Sequence, residues 1–339
     1  MTGQRRFSGA QHCQGASLVE LMVAMTMGLL ITVALLSAYQ GAVGANQMAD
    51  AEGRMNEDAQ AALAVLTQQL RMAGSNPDQA NRIANSDPTL SSRRNPLYLP
   101  APAYAGYALQ PKGFALSSFA LRGCSGSFSN ITSASDMDHL TCLPGSAALP
   151  NSIAVSYEAD RFNTVPSPAP ASLATDCLGK KLAIITATVP SASDAGVVLT
   201  DVSYALADNR FYIATRSGVP SLYCKGNGID SSPQAMVDNV EDLQFRYGAT
   251  ASSAAMAGYL SADQMLSNAA LALLANDATR WQKVVAVRIC IVVRSQSAVV
   301  ASALSARYVT CDGSLATAPP DLRLRHAYSA TVLLRNRRL

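Results

Sequence analysis

Glu20 is the residue whose chemistry most needs explaining. It lies at the lip of an apolar run, and between Leu21 and Tyr39 there is no charged residue and no proline. A carboxylate at such a place is costly unless a cation pairs with it. Gly15 and the small Ala16 precede Glu20, with the glycine five positions and the alanine four positions ahead of it. Hydrolysis of the Gly15–Ala16 bond would convert the Ala16 amide into an α-amine, a cation able to pair with a carboxylate in apolar surroundings. The chemistry suggested here is processing followed by charge pairing, not catalysis.

The other reactive residue types do not assemble into a catalytic pattern. Of three histidines, His12 precedes Gly15, His139 stands in Asp136-Met137-Asp138-His139, and His326 lies between Arg325 and Ala327. Near His139 stands Cys142, which is more readily taken up in a disulfide, so His139 reads as a loop residue and no metal is expected. Gly226-Asn227-Gly228 lacks the lysine and hydroxyl residue of a phosphate loop, and Gly123-Cys124-Ser125-Gly126 lacks nucleophile-elbow spacing. Asp230, near Asn227 and Asp238, lacks the calcium-loop spacing. An enzyme reading therefore has no active site to rest on, and no cofactor is implied. Among seven cysteines, Cys13 precedes the cut; the remaining Cys124, Cys142, Cys177, Cys224, Cys290 and Cys311 are even in number, as disulfides in an oxidising compartment require. Connectivity is open, with nearest-neighbour pairing favoured. Arg323, Arg325, Arg335, Arg337 and Arg338 form the one dense basic cluster. A solvated strand edge guarded against sheet extension explains it better than nucleic acid does.

Several elements must position these groups. Residues 1–15 read as a polar leader, and residues 16–74 as one long helix with a membrane segment over about 18–39. About 20 apolar residues at 1.5 Å each cross a bilayer core. Further on, Met55, Ala59, Ala62, Leu66, Leu70 and Ala73 recur at spacings of three and four, with Leu63 beside them, which makes an amphipathic stripe. Arg71, Gly74 and Pro77 suit the helix end, whereas Gly41 and Gly44 mark its weakest point. The whole helix would be roughly 85 Å long. Residues 75–113 are rich in proline and read as an irregular connection. Residues 114–339 read as a β-rich domain: strands over Ile153–Tyr157 and Leu182–Thr186, a hairpin of 202–207 and 210–215 turning at Asp208-Asn209, and a stiff loop at 165–170. A helical insert over about 261–275, opened by Ser261 and Gln264, precedes the strongest strand, Val284–Val293. Strands at 306–311 and 327–334 would complete an antiparallel sheet. The fold class expected is α+β, a long helix packed on a disulfide-stapled antiparallel domain.

Composition agrees with an ordered, exported protein. The chain has 339 residues, 49% hydrophobic and 14% charged, so disorder is not expected over most of it. The net charge of +3 falls to about +1 once Arg5 and Arg6 leave with the leader, too little to argue for nucleic acid. The same two arginines ahead of the apolar run hold the N-terminus on the cytoplasmic side and send the remainder outward, to the periplasm of a Gram-negative cell. The competing reading is a secretory signal cut near Ala42 or Ala45. The apolar stretch is longer than such a signal, begins with a glutamate and runs unbroken into a helical pattern.

The Gly15-Ala16-Ser17-Leu18-Val19-Glu20 stretch resembles the type III signal of type IV prepilins. A second likeness lies in Asn239–Tyr247, Val285–Ile289 with Arg294-Ser295, Arg323–Tyr328 and Thr331–Asn336. Together they resemble the PilW-type minor pilins, relatives of the larger type II secretion pseudopilins. The resemblance implies cleavage by a prepilin peptidase after Gly15 and N-methylation of Ala16. It implies an inner-membrane anchor first and a place in a pilus later. Its partners would be other minor pilins, the major pilin and a large tip adhesin, with roles in priming assembly, twitching motility and adhesion. Glu20 would then pair with the Ala16 amine of a neighbouring subunit and set the axial register. Ala16 in place of phenylalanine, Gln14 in place of a basic residue and the lack of a proline kink depart from the commonest pattern. The type II secretion pseudopilin is the alternative, and a membrane-anchored periplasmic enzyme or binding protein is disfavoured.

Overall fold

The computed structural model describes residues 17–75, 111–112, 119–145, 149–167, 173–193, 196–252, 255–274, 276–316 and 321–336. The chain divides into two compact units, Met1–Asp50 and Ala51–Leu339. Nearly all of the proline-rich connection at 75–113 lies outside the described residues.

Helix α1, Leu18–Met72, is uninterrupted at Gly41 and Gly44. In the first unit its large apolar side chains from Leu18 to Tyr39 are exposed on every side. In the second unit the stripe read from the sequence is the buried face: Met55, Ala59, Ala62, Leu66, Leu70 and Ala73 are all at or below 1% exposure. Burying a leucine such as Leu66 or Leu70 contributes about 2 kcal/mol each. The helix ends as Gly74 takes a left-handed φ of 70°. The Ser75 N–H donates to the Met72 carbonyl at 2.7 Å, and the Gly74 N–H donates to the Ser156 carbonyl at 2.9 Å.

The strands follow in two antiparallel sheets. The first takes β1 (Pro111–Lys112), β2 (Leu121–Cys124), β3 (Ser152–Ala159), β4 (Ile184–Ser193), β5 (Gly196–Arg216), β6 (Val219–Lys225) and β7 (Gln234–Asp238). Its order is β1-β4-β5-β3-β2, with β6 on β5 and β7 on β6. The second runs β11-β10-β8-β9 and contains β8 (Val240–Ser252), β9 (Ala255–Leu260), β10 (Val284–Ala298) and β11 (Arg323–Leu333). Val287, Ile289, Ile291 and Val293 of β10 are buried while Arg288 is exposed, the alternation expected of a sheet with one face on the core. The buried stripe of α1 and the inner residues of both sheets form one hydrophobic cluster. The α+β class with a disulfide-stapled sheet domain is therefore what the chain adopts.

Three expectations are corrected. Asp208-Asn209 is not a hairpin turn but the interior of the 21-residue β5, because both side chains are buried with partners of their own. The turn falls at Ser217-Gly218, where φ of 50° and 77° suits a two-residue hairpin connecting Arg216 to Val219. Residues 306–311 are not a strand. Both edges of β10 are taken by β8 and β11. The segment forms turns instead, with one isolated bridge, Val309 to Leu315. Finally, the helical insert is broken. α2 (Ala262–Ser267) starts on the Ser261–Gln264 capping box, but Asn268 is extended and accepts from the Ala270 and Leu271 N–H groups, starting α3 (Ala269–Ala272). α4 (Asp277–Gln282) begins on Asn276.

Candidate functional site

Gly15 and Ala16 lie outside the described residues. Directly after them, Ser17 and Glu20 close a reciprocal capping box. The Ser17 N–H donates to the Glu20 carboxylate at 2.9 Å, and the Glu20 N–H donates to the Ser17 hydroxyl at 3.2 Å. The S-x-x-E spacing that signals this box is present in the sequence. Glu20 thus satisfies its own helix end while exposed at the first turn. Among Leu18–Tyr39 it is the single charged residue. The hydroxyls of Thr26, Thr32 and Ser37 donate back to the carbonyls of Val23, Leu29 and Ala34 at 2.8–2.9 Å. With its hydroxyls satisfied internally and its apolar side chains outward, this segment suits lipid or a bed of apolar helices. It is long and apolar enough to cross a membrane.

The second unit is held rigid by three disulfides, Cys124–Cys142, Cys177–Cys224 and Cys290–Cys311. Around Cys177–Cys224 the chain builds a polar joint. Asp176 accepts from the N–H groups of Leu178 and Lys180 on one oxygen and of Gly228 on the other, all at 2.9–3.0 Å. A Cβ on Gly226 would come within 2.2 Å of that carboxylate, so Gly226-Asn227-Gly228 is a close-packed turn and no phosphate cradle. The Cys177 N–H donates to the Asn209 side-chain oxygen at 3.0 Å, and the Asn209 amide donates to Gln69 of α1 at 2.8 Å and to the Tyr157 hydroxyl at 3.2 Å. Burial pushes the Tyr157 hydroxyl up to about 12. Gln69, Tyr157, Asp176 and Cys177 border a cleft of about 280 Å³ between α1 and the loops at 163–165 and 176–179. Nearby, Arg210 pairs with Asp208 at 2.7 Å, with both side chains buried.

Arg325 is not a solvated strand-edge charge, which corrects the sequence reading at that residue. Arg325 is 5% exposed and forks between two carboxylates. It meets Glu241 at 2.5 and 3.0 Å and Asp321 at 2.8 Å twice. Its hydrogen bonds hold the Asp321 carboxyl down at about 2. Arg323 joins Asp321 at 3.6 Å, and Arg294 reaches Glu241 at 3.8 Å and donates to the Gly218 carbonyl at 2.6 Å. Arg335 is exposed, and Arg337 and Arg338 lie outside the described residues. The period-two pattern placed Arg325 on a strand, but its acids come from β8 and from four residues upstream, a meeting that only folding arranges. His139 sits in an exposed loop with its ring 2.7 Å from Asp136, which raises its pKa chiefly through that hydrogen bond. Among the described residues no cluster of histidine, cysteine or carboxylate could hold a metal ion.

What these parts define is an anchor-and-head protein: an apolar helix fit for a membrane, continued by an amphipathic half that belongs to the core of an antiparallel, disulfide-closed domain. The particular likeness lies in the head. Residues 210–336 match the family model described as PilW, Type IV Pilus-assembly protein W, which supports the resemblance to PilW-type proteins and a part in type IV pilus assembly. That is a family of pilus-assembly proteins and not of enzymes. No curated protein and no solved structure matches the chain.

Proposed function

We propose that this protein is a minor pilin of a type IV pilus. In this reading residues 1–15 are a leader removed by a prepilin peptidase, and Ala16 becomes the new N-terminus. The segment from about 18 to 39 holds the subunit in the inner membrane with its head in the periplasm. The subunit then joins other minor pilins to prime the filament of major pilin, at or near a tip that serves twitching motility and adhesion. The observation that carries the reading is the pairing of one carboxylate, Glu20, with an otherwise uncharged apolar helix in a chain whose C-terminal part matches a pilus-assembly family.

Glu20 is the register device in this proposal. A carboxylate among packed apolar helices requires a cation, and the Ala16 amine of the next subunit satisfies it at one axial offset only. Until that partner arrives, the carboxylate is occupied by the Ser17 N–H. Mass spectrometry of the mature N-terminus is the first test, with Ala16 the expected start. The second is Glu20→Ala: cleavage continues while surface piliation and recruitment of neighbouring minor pilins fall. Normal piliation with cleaved Glu20→Ala protein would show that the carboxylate sets no register.

A further inference from the structure

On the outward face of the second sheet, two arginines stand directly opposite one another. Arg246 of β8 is the cross-strand partner of Arg288 of β10, and both are exposed. Like charges in this relation repel, and sheets ordinarily avoid them. Every other arginine along β8, β10 and β11 has an acid: Arg294 has Glu241, Arg323 has Asp321, and Arg325 has both. Among the described residues no carboxylate lies within ion-pair distance of Arg246 or Arg288. Arg288 instead lies over the ring of Tyr259, 4.5 Å from its centroid, which positions the guanidinium without neutralising it. Thr331, the partner of Arg288 on the other side, is exposed as well.

We infer that this face is a docking surface for an acidic segment of another protein, whose carboxylates fork onto Arg246 and Arg288. Charge complementarity picks the occupant. Two planar guanidinia side by side on neighbouring strands match carboxylates presented by a second polypeptide. The Thr331 hydroxyl, opposite Arg288 on the neighbouring strand, adds a neutral polar contact. The inference deepens the pilus reading by naming a surface for a partner subunit, yet its test is independent of processing and of Glu20.

The full-length chain in detergent micelles is titrated at low salt with a short fluorescein-labelled polyglutamate peptide, followed by anisotropy. R246Q and R288Q each weaken binding about fivefold, and R246Q/R288Q abolishes it. R246K/R288K keeps a measurable part. Each single glutamine variant melts at or above the wild-type temperature, since one of two repelling charges has gone. Unchanged peptide affinity in the double variant overturns the inference, as does a lowered melting temperature in both single variants, which would make the pair a structural element. Tighter arginine-dependent binding of an oligothymidylate of equal charge would reassign the surface to a phosphate backbone. Arginine-dependent self-association in sedimentation would place a second copy there, and either result would also overturn the assignment to a different protein.

Discussion

Replacing Arg210 with methionine tests whether the polar centre of β5 matters as much as its burial implies. Arg210 and Asp208 side chains are 4% and 6% exposed, and the guanidinium donates to both oxygens of Asp208 at 3.1 and 2.7 Å. Its remaining terminal nitrogen donates to the carbonyls of Ile131 and Ala134, both at 2.9 Å, tying the 131–134 turns to the sheet. Methionine fills much of the volume but leaves a buried carboxylate and two carbonyls without that donor. Removing one partner of such a pair costs about 3–5 kcal/mol. Because methionine keeps much of the volume filled, the lower half of that range is expected. With a urea slope of about 3 kcal/mol/M, the midpoint falls by about 1 M. Trp281, the single tryptophan, is buried edge-on against Tyr247 and reports the transition by fluorescence. The D208N/R210M double variant should lose less than R210M alone, because the orphaned charge has gone too. A loss under about 1 kcal/mol in R210M, or a double variant whose cost is the sum of the two singles, would refute the reasoning.

Further outcomes can be read with the same unfolding assay. The Tyr247 hydroxyl is fully buried without a partner among the described residues, so Tyr247→Phe should leave stability unchanged or raise it by up to about 1 kcal/mol. Gly123→Ala should destabilise by about 2 kcal/mol or more, since its Cβ would meet that hydroxyl oxygen at 1.9 Å. Removing Cys290 and Cys311 together, which are 21 residues apart, should cost about 3 kcal/mol. Asp321 has a folded pKa lowered from 3.8 to about 2, so its contribution is present above pH 3.8 and is lost as the pH falls through about 2. Asp321→Asn should flatten the stability profile over that acid window and nowhere else. His139 shows the opposite sign: its folded pKa is raised above 6.5 by Asp136, so its contribution holds below 6.5 and fades as the pH rises through the folded value. An NMR titration of Asp136→Asn should move the His139 midpoint back down.

The features legible without coordinates were those that depend on near neighbours in the chain. The apolar helix, the buried stripe from Met55 to Ala73, the Gly74 helix stop and the alternation of β10 each follow from covalent geometry and helix or strand period. Such patterns need no knowledge of what lies across the core. Tertiary structure decided the rest. Asp208-Asn209 has the composition of a turn, and it stays in a strand because Gln69 and Tyr157 satisfy Asn209 from distant parts of the chain while Arg210, farther along the same strand, pairs with Asp208. Residues 306–311 have the composition of a strand, yet they lie outside the ladders, with one isolated bridge from Val309 to Leu315 and both edges of β10 taken by β8 and β11. The arginines near the C-terminus look alike in sequence. Folding hands two carboxylates to Arg325 and leaves Arg246 and Arg288 facing each other with none among the described residues, because cross-strand register, unlike sequence spacing, is set by which strands become neighbours.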